Sequence, residues 1–207
     1  MDESALRCRP VLLEELMISK RILFAAVVSL LVFGNALSQG DTRHFAKDGL
    51  VFDYAAGWNL ADESNADAQQ LTLTRADSDA QIRIFAHRGK VDTPDKLAKA
   101  KTAFIDPYLK SVSDTFVQMG AKPESKPAKI KIAEVEAEGV QMRASLGGEA
   151  GEAGVYWLPL TNRIVVLTFF GPDAALKKAT PAWDLVRNTI KIEPPPAKAS
   201  ATPKQNP

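Results

Sequence analysis

One stripe of apolar residues decides most of what this chain can fold into. Leu97, Ala100, Phe104, Tyr108, Val112, Phe116 and Met119 recur every three or four positions, the spacing that lines one face of an α-helix. Thr93 is placed to cap that helix, Pro94 suits its first position, and Asp95 favours the positive end of its dipole. Lys96, Lys99, Lys101 and Lys110 fall largely off the stripe and solvate the helix. Pro107 removes one backbone donor, so a kink or division is expected near Asp106, with Gly120 as the end. The segments on either side alternate like strands, so the stripe has to lie on a sheet.

Gly49 to Tyr54 sets Leu50, Phe52 and Tyr54 on one face against Val51 and Asp53, then turns at Ala55-Ala56-Gly57 before Trp58. Leu71 to Arg75 and Ala80 to Ala86 alternate around Asp77-Ser78-Asp79, whose short polar side chains suit a turn, and so predict a hairpin. After the helix a four-strand meander is expected. Lys129 to Glu136 and Gly139 to Leu146 would turn at Glu138-Gly139, and Gly147 to Gly154 would form a flexible connection. Val155 to Leu160 and Arg163 to Phe170 would be joined by Thr161-Asn162. Ile164 to Phe170 is apolar except for Thr168, which predicts a central strand buried on both faces. Thr180 and Pro181 repeat the cap-plus-proline start and predict a last helix through Trp183, Val186, Arg187 and Ile190. Many strands with two helical segments give an α+β fold: a largely antiparallel sheet of about seven strands with a long helix and a C-terminal helix packed on it.

The ends of the chain carry a different message. Lys20 and Arg21 precede an uncharged run from Ile22 to Phe33, and Ala36-Leu37-Ser38 supplies small residues in the pattern of a signal-peptidase site. The expected cut lies between Ser38 and Gln39. Residues 1–16 are polar and mixed in charge, which fits translation starting at Met17 and makes them a mis-assigned extension; residues 17–38 are then the signal peptide. An uncleaved anchor is the rival reading, but the run is short of the ~20 residues that span a bilayer. From 194 onward Pro, Ala, Lys, Ser and Thr predict a disordered tail to 207. Residues 39–193 remain as a single domain of the usual size for one core.

Composition narrows the chemistry. The one cysteine, Cys8, lies in the leader, so the exported domain has no disulfide, thiol nucleophile or thiolate metal site. The leader is charge-balanced, so the net charge of +1 also describes the mature chain, which has no field to steer nucleic acid. No membrane anchor is expected once the signal is removed. His44 and His87 are the only imidazoles. His44 falls in a segment expected to be loosely ordered, and His87 is expected as a solvated strand-end residue; neither carries metal-ligand spacing. The sets Asp62, Glu63, Asp67 and Asp77, Asp79 lack the alternate ligands and central glycine of a calcium loop. Gly147 to Gly154 lacks the lysine and following helix of a phosphate loop. Trp58, Trp157 and Trp183 are expected to anchor the core rather than stack on a ligand. No cofactor, metal or catalytic constellation is expected.

The opening Gly49-Leu50-Val51-Phe52-Asp53-Tyr54-Ala55-Ala56-Gly57-Trp58 resembles the start of the PsbP-like family: a glycine, an alternating strand, an aromatic, then Pro-x-Gly-Trp. Ala55 stands where that family has proline. The order of elements from Phe45 to Glu193 also resembles that family and the related Ran-binding import-factor fold, an α/β/α sandwich. The resemblance implies a non-catalytic module that docks onto larger assemblies, with protein partners of unassigned identity. Plant and cyanobacterial relatives sit on the lumenal side of photosystem II. Metal sites of the family have no matching residues here. Two alternatives stay open: a small exported hydrolase using His87, and a carrier of a small apolar ligand between sheet and long helix.

Overall fold

The structure, a computed structural model, describes residues 41–193. The expected extension 1–16, the signal 17–38 with its cut at Ser38 and Gln39, and the tail 194–207 lie outside the described residues. The strands are β1 (Thr42–Lys47), β2 (Leu50–Ala55), β3 (Asn59–Asp62), β4 (Ala68–Arg75), β5 (Ser78–His87), β6 (Glu124–Ile132), β7 (Val135–Leu146), β8 (Glu149–Leu160), β9 (Arg163–Pro172) and β10 (Lys191–Ile192). The helices are α1 (Pro94–Ala100), α2 (Asp106–Gln118) and α3 (Asp173–Thr189), with a π-helical turn over Lys101–Ile105 between the first two.

Seven strands make one antiparallel sheet in the order β3-β4-β5-β9-β8-β7-β6, and β1-β2-β10 make a smaller one. The α+β class and the two packed helical segments are as the sequence predicts. β9 is the middle strand of seven and is buried on both faces. Its Val165 and Leu167 join the core with Ala179, Ala182, Trp183 and Val186 of α3 and Leu50 and Phe52 of β2. Its Ile164 and Val166 join Ala100, Ile105 and Trp157 in the core under the long helix. The alternation of one strand thus feeds two cores on opposite faces. Thr168, buried among apolar neighbours, is satisfied by the Tyr108 hydroxyl at 2.9 Å, which ties α2 to β9.

The long helix starts as predicted: the Thr93 hydroxyl accepts from the Lys96 amide, and Pro94 follows the cap. Pro107 cannot donate to the preceding turn, and that turn widens, so Asp106 N–H donates to the Lys101 carbonyl five residues back. Ala100 and Phe116 are buried, Leu97, Phe104, Tyr108 and Val112 are half-buried, and Met119, beyond the last helical turn, is exposed rather than part of the buried stripe.

Four expectations are corrected. The turn after the helix is Ala133-Glu134, both left-handed at φ 47° and 65°, and not Glu138-Gly139. Gly139 lies inside β7, where a Cβ would come 2.3 Å from the Tyr156 ring. The expected flexible connection at Gly147 to Gly154 is instead a tight Gly147-Gly148 turn followed directly by β8. Gly154 again faces Tyr156, so one aromatic ring requires bare backbone at two points of the sheet. The last helix begins at Asp173, and Pro181 sits within it rather than starting it. The hairpin before the long helix turns at Ala76-Asp77, because Ser78 already pairs with Arg75.

Candidate functional site

The sequence-predicted residue with most chemistry, His87, ends β5 on the long-helix face. Its ring lies 4.2 Å from that of Phe104, centroid to centroid, and Nδ1 is 3.0 Å from the Asp67 carbonyl. It is half-buried against the stripe and is not the freely solvated strand-end residue expected. Its hydrogen-bond partner among the described residues is a backbone carbonyl. His44, expected in a loosely ordered segment, is on β1 opposite Asp53, with Nδ1 2.7 Å from its carboxylate.

At the same end of the sheet, on the α3 face, a buried polar cluster forms that no motif announces. Arg163 starts β9 and is 8 % exposed. Its Nε donates to the His87 carbonyl at 2.8 Å and Nη1 to the Asp48 carbonyl at 3.1 Å. Nη2 donates to Gln69 Oε1 at 2.7 Å and to the Ala86 carbonyl at 3.1 Å. Gln69, fully buried on β4, donates from Nε2 to the Lys47 carbonyl at 2.8 Å. The two side chains hold the Asp48-Gly49 turn of the small sheet down on the large one. The Asp48 carboxylate is engaged elsewhere, by Arg88 Nη2 at 2.9 Å. Burial first, and the charge of Arg88 second, push the Arg163 guanidinium below its ordinary value, while Asp48 opposes them. The guanidinium stays protonated all the same.

Other candidate residues fall apart in space or into structural roles. The Asp62 carboxylate takes Lys47 Nζ at 2.7 Å and the Ser64 amide at 3.0 Å. The lysine, and after it Ser64, lowers its pKa to about 2. Asp77 pairs with Arg75, and Asp67 closes a turn on Asn65. Among the described residues no three of His, Cys, Asp or Glu are grouped to hold a metal ion. Trp58, Trp157 and Trp183 are 3 %, 9 % and 7 % exposed, so all three anchor cores as expected. Trp183 stacks on Phe169 at 5.1 Å, and Lys101 lies 5.9 Å over the Trp157 ring. Between the helix stripe and the sheet, a space of about 40 Å³ lies beneath Tyr108 and Val112, and a cleft of about 360 Å³ opens beside Leu97 and Trp157.

No protein-family profile and no curated protein sequence matches the chain. Among solved structures it is similar to cyanobacterial PsbP from Synechocystis, with a TM-score of 0.49 and 13 % identity over 76 % of this chain and 96 % of that one. A Bacteroides thetaiotaomicron protein gives a TM-score of 0.47 and 15 % identity over 75 % of this chain and 49 % of that one. LpqN, involved in cell envelope biogenesis of Mycobacterium tuberculosis, gives 0.40 and 12 % over 74 % of this chain and 91 % of that one. The first is from the family that Gly49 to Trp58 resembles.

Proposed function

We propose that this chain is an exported, non-catalytic binding module that docks onto a larger protein assembly. Export rests on the basic, apolar and small-residue succession from Lys20 to Ser38. The observation that carries the non-catalytic reading is where the polar interior is engaged. Arg163 and Gln69 hold one chain turn to another, and the ring of His87 is packed on Phe104 and bonded to a backbone carbonyl. A hydrolase would need that imidazole beside a hydroxyl it can deprotonate. The carrier reading needs an enclosed apolar chamber under the stripe; the space beneath Tyr108 and Val112 is about 40 Å³, and the cleft of about 360 Å³ beside Leu97 and Trp157 is open and carries Lys101, Glu136 and Glu138 on its walls.

Recovery of a tagged copy from the exported fraction, with N-terminal sequencing, native mass measurement and cross-linking, tests both halves. The expected result is a terminus near Gln39 and a cross-linked species heavier than the monomer. A Met1 or Met17 terminus in the membrane fraction overturns export. A monomer that cross-links to nothing overturns docking.

A further inference from the structure

We infer that the cleft beside the β8–β9 turn binds the carboxylate of a small organic acid. This site stands apart from the docking reading and does not depend on it. The cleft encloses about 310 Å³ and is walled by Arg163, Arg88, Lys90, Asp48, Glu193 and the apolar Ile192. Its ion pairs leave a surplus of positive charge. Arg88 is paired with Asp48 at 2.9 Å, and Glu193 with Lys191 at 2.6 Å. Arg163 and Lys90 have no carboxylate within ion-pair distance among the described residues.

Arg163 is the decisive group. All four of its hydrogen bonds go to neutral oxygens, three backbone carbonyls and the Gln69 amide. A guanidinium has five N–H donors, so one on Nη1 is left without an acceptor among the described residues. Neutral oxygens solvate a buried cation without neutralising it, and a cation so placed is costly until a counter-charge arrives. Arg88 adds repulsion, and the Asp48 carboxylate, already paired with Arg88, offsets burial and that repulsion only in part. An anion in the cleft supplies the missing charge.

The donors and walls select the kind of anion. One Arg163 N–H and the Lys90 ammonium, both on the wall of the cleft, are donors enough for the two oxygens of a carboxylate. A phosphate brings further charge and a third oxygen toward the carboxylates of Asp48 and Glu193. Ile192 offers an apolar wall for the carbon body of an acid, and the volume suits a small one.

Isotope-labelled purified protein, titrated in an NMR experiment with butyrate and separately with inorganic phosphate at ionic strength held constant by chloride, tests the assignment. Butyrate is expected to give saturable shifts centred on Lys90, Asn162 and Arg163, with phosphate about tenfold weaker or worse. Lys90→Glu reverses the charge of an exposed side chain, so it is expected to weaken butyrate about tenfold or more and leave the melting temperature unchanged. Shifts that never saturate, equal affinity for phosphate, or butyrate binding untouched by Lys90→Glu would each overturn the proposal and leave Arg163 as a structural clamp.

Discussion

Trp58→Ala is expected to cost this domain a large part of its stability. Trp58 follows Gly57, whose φ of 83° turns the chain out of β2, and it is 3 % exposed in the core shared by Tyr54, Ala179 and Ala182. An indole so placed removes roughly 200 Å² from water, worth about 5 kcal/mol at 25 cal/mol per Å² as an upper figure. Measured truncations of buried aromatics cost about 3–5 kcal/mol, because the cavity relaxes only in part. Total stabilities are about 5–15 kcal/mol, and a domain of this size shifts about 2–4 °C per kcal/mol. The expected fall in melting temperature is therefore about 6–20 °C. Trp58→Phe keeps most of the apolar area and should fall much less. Removing residues 197–207, which carry no apolar periodicity, should leave the transition where it was. Calorimetry of the variants beside the parent makes the measurement. A Trp58→Ala protein that melts like the parent yet no longer binds a partner would refute the reasoning and make Trp58 a recognition residue.

Three further outcomes are expected. Gly139→Ala places a methyl 2.3 Å from a Tyr156 ring carbon and 2.6 Å from the Val155 carbonyl, so it should destabilise by about 1–3 kcal/mol in a denaturant titration; an unchanged midpoint would show that the ring moves freely. Ala133→Asn with Glu134→Gly supplies residues that tolerate the left-handed turn and should raise the melting temperature by a few degrees, about 1 kcal/mol; a drop would mean that the Cβ atoms carry no strain there. The Asp62 pKa, lowered to about 2 from an unfolded value near ~3.9, contributes stability that is full above pH ~4 and lost as pH falls through about 2. Lys47→Met removes its main cause, so the parent should exceed the variant modestly at neutral pH and converge with it as pH falls from ~4 toward 2; a gap that persists at pH 2 would assign the loss to packing.

What the sequence made legible follows the range of each interaction. The cap at Thr93, the division before Pro107 and the stripe as far as Phe116 are written within a few residues, and they are where the pattern put them. The central place of β9 was legible because burial on two faces removes polar residues from a whole strand. Turns failed where glycine served packing. Gly139 and Gly154 make room for Tyr156, a neighbour across the sheet in one case and two residues along in the other, while the real turn uses Ala133 and Glu134, which announce nothing. Asp48-Gly49 between β1 and β2 is a two-residue hairpin sequence with both residues at positive φ, and it would have placed His44 on a strand.

The polar cluster was hidden for a different reason. Gln69 and Arg163 are 94 residues apart, and each taken alone is an ordinary polar residue at the edge of a strand. Gln69 shares the parity of Leu71 and Leu73 on β4, and Arg163 that of Val165 and Leu167 on β9, so alternation alone aims both at the α3 core. A polar side chain on the apolar parity of a strand is worth marking, since it has to find a partner or stay costly. Two such residues on two strands predict each other. Here the strands are separated by β5 alone, and the pair meets at 2.7 Å. The reasoning extends to charge. Glutamine can satisfy a guanidinium's hydrogen bond but cannot balance its charge, and here the opposing charge of Asp48 is already shared with Arg88.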